Sequence, residues 1–413
     1  MKIALVNYRY FVDGGPGRYM FNIKEILEKN GHEVVTFSIK HPKNETSDYE
    51  EYFLESVGDE EYFENTRKTL KNIRKSFSRM FFSLEAGKKF RRLLIDTKPD
   101  IIYILQFHNK ISPSILYEAR KLGIPVVHRI SDFQYMCPNA LFYNDVKGLC
   151  TDCLEGKRLS CVKYKCVLNS SLYSGIKAAA KAFHDSLDIT KLVSQYVVPS
   201  NFTLGKLNEY GIGLDKLNHV PTFFNFKEQV ESPVYEPFFL FIGRLVKHKG
   251  LQTLVDAFAG TDYKLKIIGF AADDYENELK KSLEGKKHSI EFLGRMTFEQ
   301  IVPYLNTCRC TVSPAEWYEN FPNAVLESFA FKKPVITTGI GSLVEMVDDM
   351  STGMLFKYRD ADDLRRCVKY MYDNPGEAER MGRNAYDNLI EKYNSELHYR
   401  RLMSVFDKAL AKS

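Results

Sequence analysis

Phe238-Phe239-Leu240-Phe241-Ile242-Gly243-Arg244-Leu245-Val246-Lys247-His248-Lys249-Gly250 divides into an unbroken apolar run and a basic loop bounded by glycines. A run that is continuous rather than alternating predicts a strand covered on both faces, as in a parallel sheet. Leu251, Leu254, Val255 and Phe258 then recur at helical spacing, and Lys264 to Ile268 forms the next apolar run. The same succession opens the chain: Lys2 to Val6, a loop holding Gly14, Gly15 and Gly17, a helical pattern on Met20, Ile23 and Leu27 that stops at Gly31, and a second run from His32 to Phe37. Ile101 to Leu105, the helical pattern Ser114 to Leu122, and Pro125 to His128 continue the alternation. Two α/β halves with strand, loop and helix at the head of each predict two doubly wound, Rossmann-like domains facing across a cleft, with ligands at the carboxyl ends of the strands. An aperiodic stretch rich in Pro, Phe and Glu, Pro221 to Pro237, reads as the linker.

The 413 residues are 44% hydrophobic and 27% charged, which excludes a disordered or fibrous chain and suits two domains. No window approaches the ~18 apolar residues of a membrane span, and Ile3 to Val6 is too short for a signal-peptide core, so a cytoplasmic protein is expected. The net charge of +5 is unevenly spread: ten Lys or Arg against one acidic residue, Glu85, lie between Arg67 and Arg92, interleaved with Leu70, Ile73, Phe77 and Phe81. That segment reads as a basic amphipathic helix, either a solvated face over a core stripe or a peripheral contact with an anionic membrane or acceptor.

Three constellations carry chemistry. Gly14-Gly15-Pro16-Gly17-Arg18 lies between a strand and a helix N-terminus, where backbone amides and the helix dipole can meet an anion. It is not a dinucleotide fingerprint, because Met20 stands where a third glycine belongs and Ser38 and Lys40 stand where an acid should close the second strand. Arg244, Lys247 and Lys249 supply cations at a strand's carboxyl end, an Arg fork and compact Lys charges that suit a diphosphate. In Trp317-Tyr318-Glu319-Asn320-Phe321-Pro322-Asn323-Ala324-Val325-Leu326-Glu327, Pro322 fits only a first helical turn. Glu319 is therefore expected in the loop and Glu327 about one turn into the helix, each able to accept hydrogen bonds from hydroxyls of one ligand.

At these residues the sequence resembles the GT-B retaining glycosyltransferases of the large family that includes bacterial sucrose, mannosyl and capsule-sugar transferases (glycosyltransferase family 4, group 1). The Gly-Arg-x4-Lys-Gly stretch, the Glu-x7-Glu element, Phe292-Leu293-Gly294-Arg295, and Gly341 to Glu345 with Gly353 follow one another at family-like spacing. Val198-Pro199-Ser200 and the glycine loop support the first half more loosely. The resemblance implies that Arg244 and Lys249 bind the donor diphosphate, Glu319 faces the donor sugar and Glu327 holds the ribose diol. Gly243 and Arg295 would line the donor site, amides of Asn320, Phe321, Pro322 and Asn323 would complete the phosphate cradle, and Gly15 and Gly17 would approach from the other domain. It also implies an acceptor-side domain of residues 1–220, a donor-binding domain of 221–384, and terminal helices in 385–413 packing back onto the first.

The partners expected are a nucleotide diphosphate sugar, UDP- or GDP-linked, and a glycan or lipid-linked oligosaccharide acceptor of surface polysaccharide synthesis, with no nucleic acid and no cofactor for catalysis. A nucleotide-sugar 2-epimerase and a catalytically silent binding module share the architecture and stay open as alternatives. One departure concerns the acceptor side: where many relatives carry His-Asp ahead of Cys-Pro, this chain has Ser131-Asp132 ahead of Cys137-Pro138, and His128 reads as a core or surface residue.

Five of eight cysteines fall within thirty residues. In a reducing compartment that points to metal before disulfides. Cys150-x2-Cys153 with Cys137 and Cys166 on either side could supply four thiolates to a closed structural zinc site, leaving Cys161 over; free thiols or a redox pair are the other readings. Cys308, Cys310 and Cys367 read as packing.

Overall fold

The computed structural model describes residues 1–12, 14–57, 69–225 and 233–411. Arg67 and Lys68 of the basic segment, and residues 226–232 of the expected linker, lie outside them. The first unit carries β1 (Lys2–Val6), β2 (Glu33–Phe37), β3 (Ile101–Ile104), β4 (Val126–Arg129), the short strands β5 (Tyr143–Asn144) and β6 (Gly148–Leu149), β7 (Gln195–Val198) and β8 (Leu217–His219). All but β5 and β6 form one parallel sheet in the order β2-β1-β3-β4-β7-β8, while β5 and β6 make a separate antiparallel hairpin. The second unit carries β9 (Phe238–Ile242), β10 (Lys264–Ile268), β11 (Ser289–Gly294), β12 (Cys310–Ser313), β13 (Val335–Thr338) and β14 (Gly353–Phe356). They form a second parallel sheet in the order β11-β10-β9-β12-β13-β14.

The continuous apolar runs are the central strands, buried on both faces as their composition requires: Ile3 to Val6 and Phe239 to Leu240 have no exposure. Chain direction across each sheet reverses beside its first strand, between β1 and β3 and between β9 and β12. The crevices outside those reversals are where open α/β sheets bind ligands. Cys308 and Cys310 are buried at the entry to β12, and Cys367 in the helix Ala361–Asp373, as packing residues.

Two expectations are corrected. The return to the first unit does not begin at 385: the helix Pro375–Lys392 stays with the second, its Ala385 and Leu389 packed among Leu326 and Phe329. Only the helix Ser395–Leu410 crosses, laying Leu402, Val405, Phe406 and Ala409 over Ile3, Leu5 and Tyr103. His398 ties it down with Nε2 2.9 Å from the Tyr19 hydroxyl and Nδ1 2.8 Å from the Pro221 carbonyl. The basic segment is likewise two helices, Leu70–Phe81 and Leu84–Thr97, because Ser83 caps the second by accepting from the Ala86 amide at 3.2 Å. Its cations do not all face solvent: Arg79 is 1% exposed and donates to the Glu55 carbonyl, while Ile73 and Phe77 lie outside.

Candidate active site

The loop leaving β9 is shaped by Gly250, whose φ of +72° and close approach to Pro314 admit no side chain: a Cβ would stand 1.8 Å from the Pro314 carbonyl oxygen. Leu245 donates to the Phe270 carbonyl at 2.9 Å, which leaves Gly243 and Arg244 at the strand's mouth with Arg244 exposed toward solvent. Lys249 folds inward and pairs with Glu319. Glu319 is 5% exposed and also accepts from the Trp317 indole at 2.9 Å, while its own carbonyl accepts from Ser342 at 2.7 Å. His248, packed 5.0 Å from the Trp317 ring, is pushed down to about 3, chiefly by burial and then by Lys249 and Arg244, so it is neutral near pH 7.

Pro322 is the residue before the helix Asn323–Ala330, so Glu319 sits in the loop and Glu327 in the helix's second turn. Phe321 turns its ring onto Tyr393, 5.5 Å away. From the first unit, the helix Gly14–Lys29 aims its N-terminus at this one: a Cβ on Gly15 would lie 2.8 Å from Asn323 Nδ2. Gly17 is required for a different reason, since its Cβ would lie 2.7 Å from the Phe11 carbonyl oxygen. The two helix N-termini thus approach one another, with Lys249 held beside Glu319 in the loop leading into the second, an arrangement that favours a polyanion. Arg295 lies farther out, exposed at the end of β11 with its guanidinium 4.9 Å from the Phe270 ring centre.

Several of these contacts join the units. Asn320 donates to the Ile130 carbonyl at 2.8 Å and accepts from Thr203 at 2.9 Å. Glu345 accepts from the amides of Asn201 and Phe202 at 2.8 and 2.6 Å, so a carboxylate of the second unit caps a helix of the first. Sequence reasoning missed Arg18. It pairs with Glu327, the expected ribose ligand, and its guanidinium lies 4.9 Å from the Phe298 ring centre. The signal was present, since Arg18 closes the glycine run, but nothing local says that it meets a residue 309 positions away.

Ser131, where the sequence departs from the family's His, is committed to structure, donating to the Leu105 carbonyl at 3.1 Å and accepting from Arg129 at 2.8 Å. His128 is buried in β4 against the Tyr135 hydroxyl at 2.8 Å and pushed down to about 3 by burial and Arg129. Cys137, Cys150, Cys153, Cys161 and Cys166 gather beside this region as free thiols. Cys166 is pushed up to about 12 by burial and by Cys137, Cys150 and Cys153. Among the described residues, no group of three or more His, Cys, Asp or Glu side chains is arranged to hold a metal ion.

The fold and this cleft define a two-domain glycosyltransferase of the GT-B type. Residues 223–388 match the family described as Glycosyl transferases group 1, and residues 13–134 match Glycosyltransferase Family 4; the chain belongs to these glycosyltransferases. The uncharacterized glycosyltransferase MJ1607 of Methanocaldococcus jannaschii is 23% identical over 417 residues, 99% of both chains. The D-rhamnosyltransferase WbpZ of Pseudomonas aeruginosa is 32% identical over 150 residues, 36% of this chain and only 39% of that protein. The structure of Anabaena HepE in complex with UDP and glucose superposes with a TM-score of 0.63 at 13% identity, covering 98% of this chain and 99% of that one, a likeness of fold.

Proposed function

We propose that the protein moves a sugar, with retention, from a nucleotide diphosphate sugar to a growing surface glycan. The observation that carries this reading is the meeting of the helix start at Asn323 with the N-terminus of Gly14–Lys29, beside the pairs Lys249–Glu319 and Arg18–Glu327. As the sugar–phosphate bond breaks, charge grows on the departing phosphate. Fixed cations aimed there stabilise the transition state more than the ground state. Glu319 orients the donor sugar and holds Lys249 in place, with no covalent role. Glu327 would take the ribose hydroxyls once Arg18 is displaced. The UDP held by HepE, a protein of the same fold, supports a nucleotide-linked donor.

Nucleotide binding tests the site. A ligand at a hundred times its dissociation constant adds ~2.7 kcal/mol to the folded state, so UDP or GDP should raise the melting temperature, and Arg244→Ala should lose that rise. No shift with either nucleotide would overturn the reading. Consumption of the donor without any acceptor, giving an epimerised sugar, would point instead to the 2-epimerase.

We also propose that Cys137, Cys150, Cys153 and Cys166 take a structural zinc, a reading supported by four soft thiol donors in one stretch of chain, none of them in a disulfide. The raised thiols must release protons to bind it. Elemental analysis should find one zinc per chain, retained in Cys161→Ser and lost in Cys153→Ser. A metal-free, fully stable preparation would refute it.

A further inference from the structure

The hairpin of β5 and β6 lies between Cys137 and Cys150, and the thiol-rich segment holds it in shape. Asn139 accepts from the Cys137 thiol at 2.9 Å and donates to the Tyr143 carbonyl at 2.6 Å, while the Cys150 amide donates to the Phe142 carbonyl at 2.8 Å. Although it grows from the first unit, the hairpin sits against the second. Gly148, at φ +77°, leaves room for that seat: a Cβ there would stand 2.6 Å from the Tyr358 hydroxyl and 3.1 Å from the Arg359 guanidinium.

Tyr143 is 6% exposed, and its hydroxyl accepts from Arg359 at 3.3 Å. Its ring lies 5.9 Å from that of His248, which packs on its other neighbour, Trp317. His248 Nε2 is buried without a hydrogen-bond partner among the described residues, so packing between two rings, and not a bond from that nitrogen, places the imidazole. Trp317 in turn donates to Glu319 and has Lys249 Nζ 5.5 Å from its ring centre. A second contact holds the same loop: Arg359 pairs with Glu316 at 2.5 Å, and the Glu316 amide donates to the His248 carbonyl at 2.8 Å.

The succession Tyr143, His248, Trp317, Glu319 therefore begins in one unit and ends at the ion pair of the other. Misplacing a reacting or stabilising group by about 1 Å can cost about 10²-fold in rate, even when the change lies away from the chemistry. Resting on the glycosyltransferase reading, we infer that Tyr143 is a positioning residue for sugar transfer: its ring, acting through His248 and Trp317, fixes the Glu319–Lys249 pair from the opposite half of the molecule. The thiol-rich segment then serves the donor side, by carrying the hairpin that reaches it.

Trp317 is the single tryptophan of the chain, so its emission reports on this contact directly. In the full chain, Tyr143→Ala should move that emission to longer wavelength and raise its quenching by acrylamide, as water reaches the indole. With the donor identified by the nucleotide screen, the same variant should lower kcat and kcat/KM together by about 10- to 10²-fold, the pattern of a contact that matters in the transition state. Tyr143→Phe, which keeps the ring, should recover most of both. His248→Ala should cost about as much, and Tyr143→Ala added to it little more, since neighbours in one route are not additive. Unchanged emission or unchanged kcat in Tyr143→Ala would overturn the proposal, and so would additive losses or a Tyr143→Phe protein as impaired as Tyr143→Ala. A thermal melt of each variant shows whether it is folded, and His248→Ala tests the route should Tyr143→Ala fail to fold. The emission needs no substrate, so it decides the contact even where neither nucleotide binds, which separates failure here from failure of the donor-site reading.

Discussion

Glu319→Gln should lower turnover by about 10²- to 10³-fold, the scale seen when one preorganised electrostatic group is removed from a transition state. The amide keeps the shape of the side chain and can still accept from the Trp317 indole, held at 2.9 Å. What disappears is the negative charge that Lys249 is paired with. Lys249 then loses its fixed position facing the cleft, and the donor sugar loses a carboxylate for its hydroxyls. Lys249 is 23% exposed at its side chain, so water can solvate the released ammonium and the fold should persist. Initial rates with the donor identified by the nucleotide screen, beside a thermal melt of the same protein, measure both halves. Turnover close to that of the unaltered chain would remove Glu319 from the site.

Gly250→Ala should destabilise the protein by about 2–4 kcal/mol and abolish nucleotide binding with it. Part of that is the cost of a left-handed backbone for an L-residue, about 1–2 kcal/mol. The rest is overpacking, because the new methyl meets the Pro314 carbonyl oxygen at 1.8 Å and backbone must move to admit it. Gly260 is the control: its φ of +77° is similar, but nothing lies within 4 Å of its Cβ position. Gly260→Ala should therefore show the backbone cost alone. Urea unfolding midpoints at unchanged slope compare the two. Equal losses would mean that the loop after β9 is not wedged against Pro314.

The features that sequence revealed here are those written locally. Unbroken runs such as Phe238 to Ile242 announce strands covered on both sides, and the repetition of strand, glycine loop and helix announces two sheets. Pro322 separates Glu319 from Glu327 for a steric reason that holds in any fold. What stayed hidden depends on meetings between distant residues. The inward turn of Arg79 depends on the Glu55 carbonyl, and the break at Ser83 on a cap that competes with helix continuation. Ala385 and Leu389 keep a helical period that suits either unit, so periodicity could not say which core they enter. The pairing of Arg18 with Glu327 exists only once the two units have brought their helix starts together.

Glu345 has a bearing on how such enzymes could be recombined. The helix Asn201–Glu209 belongs to one half, yet two of its opening amides are satisfied by a carboxylate from the other. A chimera joining this first half to a relative's second half would leave those amides bare unless the incoming half brought an acid to the same place. Compatibility between halves is therefore written partly at a single residue.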